Sequence, residues 1–329
     1  GLNRTMNIGL FLQIVALAML AVPAAMLTGP WVMAAQALSG IAKDLNKMSA
    51  KSGIKLLVPD EQQGTLYKWV AILTGSKNTL KGVGFFLGGV LLMAAGFTGA
   101  VIIMAVALGL VWLASLFLLG QDLGKSKAKP KFREILSKSR AINVLSAARM
   151  FLFGARDVWF VVALPVYLHT VFGWDFWKVG GFMATWIIGY GFIQTMAPRI
   201  TGDMEGKQPA VLWAAALALV PAGIAIGLTA GWSPQFVIVG GLLLFGVLFA
   251  VNSSLHSYLI VSYARGDGVS LDVGFYYMSN AAGRLLGTIL SGWVYQAYGL
   301  EACLWISSGL VATAALLSLM LPERRPVTA

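Results

Sequence analysis

Lys43, Lys47, Lys51 and Lys55 recur every four residues, and Lys77 and Lys81 repeat that spacing in the next apolar stretch. Side chains four apart share a helix face, so each series makes one cationic stripe. Arg149 and Arg156 stand seven apart, which also returns to one face, and Arg284 lies in a further apolar segment. Leaving Lys55 at the rim, eight cations sit in segments fit to cross a bilayer, and only Asp44 and Asp157 lie at comparable depth. A charge at membrane depth costs roughly 3 kcal/mol on insertion scales, so an excess of about six cations is too costly for architecture alone. It reads as a polar cavity built for a compact polyanion.

The residue types suggest how such a cargo is held. Arginine captures phosphate-like oxygens through a planar fork, whereas lysine offers a compact, movable charge. Cargo contacts are expected from Lys43, Lys47, Lys77, Lys81, Arg149, Arg156 and Arg284, with arginines at one end and lysines at the other. That division suits a molecule with two oxyanion groups. Asn280, one turn before Arg284, suits a hydrogen bond to the cargo or to a neighbouring helix. Asp44 is in reach of Lys47, and Asp157 falls on a face suited to clamping another helix, so both read as ion-pair or coupling groups. Lys55 is expected to extend to the aqueous interface. His256, near one helix end, reads as a packing residue.

These residues need helices to carry them. The chain has 329 residues, 58% hydrophobic and 11% charged, against about 25% charged in soluble proteins. Its mean hydropathy is +0.78. Runs such as VIIMAVALGLVWLASLFLL are long enough to span a bilayer, and nothing alternates as a barrel strand would. Ten spans are expected, an all-α integral membrane bundle: Met6–Leu27, Trp31–Leu57, Tyr67–Ala95, Thr98–Leu119, Ala141–Val171, Phe176–Met196, Ala210–Ala230, Pro234–Val261, Leu271–Tyr298 and Ala302–Leu321. A basic connection at 120–140 separates a four-span part, 1–119, from a six-span part, 141–329.

Assigning alternate connections to alternate sides leaves the remaining cations lopsided. One side holds Arg4, Lys55, Lys68, Arg199, Lys207, Arg265, Arg324, Arg325 and the seven of the central connection, while the other holds only Lys178. The positive-inside rule then places the central connection and the C-terminus in the cytoplasm, in the cell (inner) membrane. The net charge of +11 belongs to this bias and to the cavity, so no nucleic-acid partner is expected. Cys303, the single cysteine, excludes disulfide frameworks and thiol metal cages, and no cofactor motif or catalytic constellation is present.

An internal repeat is also visible. At a constant offset of 203, Ser76 matches Ser279, Lys81 matches Arg284, Gly84 matches Gly287 and Gly89 matches Gly292. A weaker echo pairs Gly40 with Gly246 and Asn46 with Asn252. Together with the central connection this favours two parallel halves.

Ten spans, a basic central connection and equivalence of segments six apart resemble the major facilitator superfamily, whose members have six plus six helices. Gly1-Leu2-Asn3-Arg4 resembles the end of that family's loop signature between its second and third helices. The resemblance implies that family helices three to twelve are present here and that the first two precede residue 1. Gly84-Phe85-Phe86-Leu87-Gly88-Gly89 resembles the family's antiporter signature, with Phe85 in place of its proline. More narrowly, AQALSGIAKDLNKMSAKSGIKLLVP, KWVAILTGSKNTLKGVGFFLGG, KPKFREILSKSRAINVLSAARMFLFGARDVWFVVALPVYL and VGFYYMSNAAGRLLGTILSGWVYQ are similar to the ArsJ-type organoarsenical efflux permeases. That similarity implies export of 1-arseno-3-phosphoglycerate, arsenate resistance and a functional link to a glyceraldehyde-3-phosphate dehydrogenase.

The expected function is thus secondary export of a small polyanion by alternating access. A proton-coupled drug, sugar or organic-phosphate exporter of the same superfamily is the alternative reading. An integral-membrane enzyme or receptor would need a catalytic set or a sensing domain that these connections are too short to supply.

Overall fold

The computed structural model describes residues 2–59, 61–118, 139–202, 208–264 and 269–322. The basic connection at 120–140, apart from Ser139 and Arg140, and the tail beyond 322 lie outside the described residues. The elements are α1 (Leu2–Leu20), α2 (Gly29–Leu57), α3 (Gln63–Leu118), α4 (Arg140–Phe160), α5 (Ala163–Thr170), α6 (Phe176–Thr201), α7 (Gln208–Thr229), α8 (Pro234–Tyr263) and α9 (Val269–Leu319). Each of the ten expected segments falls on a helix over most of its described residues, although the first ends at Leu20 and continues only as a short 3-10 turn at Ala24–Met26. Two pairs of them share one long element, α3 and α9, broken at Gly96 (φ 67°) and Gly299 (φ 80°).

Those breaks follow from local chemistry. Left-handed φ is cheap only for glycine, so Gly96 and Gly299 reverse the chain where a side chain would be strained. Gly173 (φ 65°) and Gly231 (φ 76°) make the turns before α6 and α8 at the same end of the bundle. Asp175 then caps α6, its carboxylate accepting from the Lys178 amide at 2.7 Å. The span expected over Ala141–Val171 is instead two helices, α4 and α5. Pro165 has no N–H to return to the previous turn, and the Ala163 amide donates to Ser291 Oγ of α9 at 3.1 Å.

Six helices among the described residues are long and apolar enough to cross a membrane: α1, α3, the α4–α5 pair, α7, α8 and α9. Large apolar side chains such as Leu80, Phe86, Leu110, Phe117, Leu219 and Leu316 point outward, as lipid contact requires. Close packing inside relies on glycine. The Gly283 and Gly287 backbones of α9 press against Met150 and Gly154 of α4, and Gly75 and Gly82 of α3 press against α6 around Gly191 and Ile188. Gly84, Gly88, Gly89 and Gly292 meet nothing within 4 Å, so most of the glycines matched by the repeat are not the packing ones.

The core of α4–α9 is aromatic, with Trp159 edge-on to Phe245 at 5.2 Å and Phe153 against Phe249 at 5.2 Å. A second apolar cluster joins Leu66 and Val70 of α3, Ile142 and Leu145 of α4, Leu259 and Ile260 of α8, and Val273 and Tyr276 of α9, with Met48 and Ile54 of α2 packed on it. It lies at the end where α2 finishes and α3 and α9 begin. Tyr67 stacks on Tyr258 there at 4.7 Å, and Gln63 Oε1 accepts from the hydroxyls of Tyr258 and Ser262 at 3.2 and 3.3 Å. This end of the bundle is closed.

Candidate functional site

A cavity of about 340 Å³ lies above that seal, between α2, α3, α4, α6, α8 and α9. Its lining includes Lys43, Asp44, Lys47, Lys51, Lys77, Lys81, Arg149, Arg156, Asn280 and Arg284. Every candidate named from the sequence therefore reaches one space, except Asp157, which sits behind it. The space continues toward Leu10 and Gln13 of α1 and Leu108 of α3 in a neighbouring volume of about 620 Å³. Both volumes fall in the range typical of small-molecule sites.

Asp157 is fully buried and holds two arginines. Its Oδ1 accepts from Arg156 Nε at 2.6 Å and lies 2.5 Å from Nη2, and its Oδ2 accepts from Arg284 Nε at 2.9 Å. The α4–α9 glycine contact makes this possible, because a Cβ on Gly287 would stand 3.0 Å from the Asp157 Cβ. Arg284 gives only Nε to the pair and leaves its side chain 48% exposed, whereas Arg156 is 14% exposed. The two terminal nitrogens of Arg284 are thus free to face the cavity.

Arg149 is buried and has only neutral partners. Its Nε donates to Asn280 Oδ1 at 3.0 Å and its Nη1 to the Ser253 carbonyl at 3.2 Å, and its guanidinium lies 3.8 Å over the Phe153 ring. Asn280 is therefore committed, through its oxygen, to a bond between helices. Lys47 Nζ donates to Asp44 Oδ1 at 2.8 Å. Among the described residues, no carboxylate lies within ion-pair distance of Lys43, Lys51, Lys77, Lys81 or Arg149.

The charges fall into two groups. Lys81 has Arg284, Arg156 and Lys43 as repulsive neighbours, with Asp157 behind them. One turn away, Lys77 and Lys51 share Lys47 and Arg149 as theirs. Each group mixes lysine with arginine along the helices, while across the cavity the lysines stand on α2 and α3 and the arginines on α4 and α9. Lys77 and Lys81 are roughly 6 Å apart along their helix, and Arg149 and Arg156 about 10 Å.

Exposure falls along the lysine stripe of α2 toward Lys55, the residue expected at the aqueous interface. Lys43 and Asp44 are exposed, whereas Lys51 is 3% and Lys55 9% exposed. Lys55 does not extend to an aqueous rim: it is buried, and its neighbour Ile54 packs on the second apolar cluster. Lys51 lies 5.1 Å from the Tyr277 ring and 5.8 Å from Tyr276, contacts that stabilise a desolvated cation.

Sequence reasoning left several lining groups out of the expected set: Lys51, Tyr190, Tyr277, Asn78 and Ser257. Asn78 Nδ2 donates to Gln194 Oε1 at 2.5 Å, and Gln194 Nε2 to the Tyr190 hydroxyl at 3.0 Å, tying α3 to α6 at the cavity wall. A glutamine in the run IIGYGFIQTMA was the available signal. The repeat itself runs deeper than its matched letters. Thr74, Lys77, Asn78 and Lys81 line the cavity from α3, and Tyr277, Asn280, Ala281 and Arg284, each 203 residues on, line it from α9.

The chain shares its fold with the human organic anion transporter MFSD10 (TM-score 0.77, 19% identity, covering 97% of this chain and 77% of that one). It is similar also to a bacterial homologue of the iron transporter ferroportin in an outward-facing state (0.75, 14%, 97% and 83%). A third is the proton:xylose symporter XylE (0.76, 13%, 98% and 81%). No curated protein sequence matches. A family model described as Major Facilitator Superfamily matches residues 1–271, so this multi-pass membrane protein is a transporter rather than an enzyme and belongs to that superfamily.

Proposed function

We propose that this transporter exports a compact organic polyanion with an oxyanion at each end, 1-arseno-3-phosphoglycerate, and so confers arsenate resistance. The observation that carries the reading is the cavity itself, where eight cations from four helices meet one lining carboxylate, Asp44, with Asp157 behind the wall. Buried cations are retained only where something offsets their desolvation, and a polyanionic cargo does so. Two mixed lysine–arginine groups separated by one to two helical turns match a three-carbon skeleton bearing an oxyanion at either end. The named cargo, and the glyceraldehyde-3-phosphate dehydrogenase that supplies it, come from the likeness to organoarsenical efflux permeases. Both carboxylates are already held, Asp157 by two arginines and Asp44 by Lys47. The proton-coupled alternative therefore has no free carboxyl in the cavity among the described residues.

In this proposal the protein lies in the inner membrane, with the seal and the 120–140 connection facing the cytoplasm. Two halves, 1–119 and 141–329, rock about the cavity, and the structure corresponds to a state open away from the cytoplasm. The test is arsenic efflux from cells that make the dehydrogenase together with this protein. Efflux should exceed that of cells with the dehydrogenase alone, and equal efflux would remove the proposal.

A further inference from the structure

The positive charge of the cavity is divided between two opposing walls. The lysines stand on α2 and α3, which pack with α1, and the arginines stand on α4 and α9, which pack with each other. Across the gap, Lys51, Lys77 and Lys81 share one cavity with Arg149, Arg156 and Arg284, so the two walls carry like charge. Neither carboxylate bridges the walls. Asp44 pairs with Lys47 on its own helix, and Asp157 pairs with Arg156 and Arg284 on the arginine wall. The neutral groups between the walls, Tyr190, Tyr277 and Asn280, do not change the sign of that interaction.

Alternating access requires these walls to approach and shed water at an intermediate stage. Like charges repel more strongly as water leaves, and each also loses its own hydration. An oxyanion held between the walls turns the same charges into attraction across the gap. We infer that the empty carrier cannot reorient, so that the protein is an obligatory anion exchanger: outward passage of the organic polyanion is balanced by return of a small tetrahedral oxyanion of the inorganic phosphate class. This inference rests on the anion-carrier reading above. It adds a counter-substrate and a coupling rule, with no proton step.

The experiment uses the protein in liposomes whose membrane potential is clamped at zero with potassium and valinomycin. Uptake of labelled 3-phosphoglycerate is followed into liposomes loaded with unlabelled 3-phosphoglycerate, with inorganic phosphate, or with neutral sucrose. Uptake at least about tenfold faster into both anion-loaded sets than into the sucrose set is the expected result. The Lys81→Gln variant, with one cross-gap repulsion removed, should show a smaller ratio of loaded to unloaded uptake. Equal rates in all three sets overturn obligatory exchange and leave the anion carrier standing. Fast uptake with 3-phosphoglycerate inside and slow uptake with phosphate inside overturns the assigned counter-substrate. No uptake in any set removes the carrier reading together with the exchange.

Discussion

Arg284 reaches Asp157 from a neighbouring helix, Nε to Oδ2 at 2.9 Å, and so shares one fully buried carboxylate with Arg156. The pair fixes the direction of both guanidinium groups and leaves Arg284 the more open to cargo. Asp157→Asn keeps the shape but leaves Arg156, 14% exposed, without its counter-charge. Breaking a buried pair on one side costs about 3–5 kcal/mol, so thermal unfolding in detergent should fall clearly. The double variant Arg156→Met with Asp157→Leu should recover much of that loss, because the more buried cation goes with its partner and the Arg284 left behind is half exposed to water. Transport should fail in both variants.

The glycines that matter for packing are separable from those that only match a signature. Gly287→Ala places a methyl 2.6 Å from the Gly154 carbonyl, which the two helices can relieve only by moving apart. A loss of about 1–3 kcal/mol is expected, with weaker transport because the Asp157–Arg284 geometry shifts. Gly84→Ala meets open space and should change stability by less than about 1 kcal/mol. Comparing the two melting curves decides the point.

The closed end combines the second apolar cluster with a few polar contacts. Tyr67 stacks on Tyr258, while the His256 ring nitrogens and the hydroxyls of Ser253 and Ser257 are buried without partners in hydrogen-bond geometry. Such polar burial fits a surface that becomes a hydrated path in the opposite state. A cysteine at Leu259, inside the apolar cluster of the seal, with Cys303→Ala as background, should resist a water-soluble thiol reagent. Tyr258→Ala loosens the seal and should raise its labelling rate several-fold. Unchanged labelling would place the path elsewhere.

Orientation has its own check. Ser233 lies at the end of the bundle that holds Gly173 and Gly231, opposite the seal. A cysteine there should be labelled from outside intact cells by an impermeant maleimide, and one at Ser126 should not. The reverse pattern would invert the proposed topology.

Much of the fold was legible because lipid demands long apolar helices and because charge inside such a helix is conspicuous. Lys43, Lys47, Lys77, Lys81, Arg149, Arg156 and Arg284 were visible for that reason, and all line one cavity. The repeat was legible at Lys81 and Arg284 because both kept a cation. Its other cavity positions were obscured, since Thr74 and Tyr277, or Asn78 and Ala281, share place but not chemistry. The burial of Lys51 and Lys55 was not legible. It depends on which end of the carrier is closed, a property of packing between distant helices rather than of the α2 stripe. Pro165 was the available signal for the break after Phe160, which the single expected span over Ala141–Val171 passed over.

The central claim is that this cavity carries a small polyanion with two oxyanion groups. Uptake into everted membrane vesicles measures it most directly, with labelled 1-arseno-3-phosphoglycerate, 3-phosphoglycerate, arsenate and a neutral sugar compared at equal concentration. Uptake should be fastest for the first, weaker for the two smaller anions and absent for the sugar. Arg284→Gln and Lys81→Gln should each lower apparent affinity about tenfold or more, the loss of one charged contact of about 1.5–3 kcal/mol. Sugar uptake equal to that of the anions, or anion uptake indifferent to both substitutions, would contradict the account.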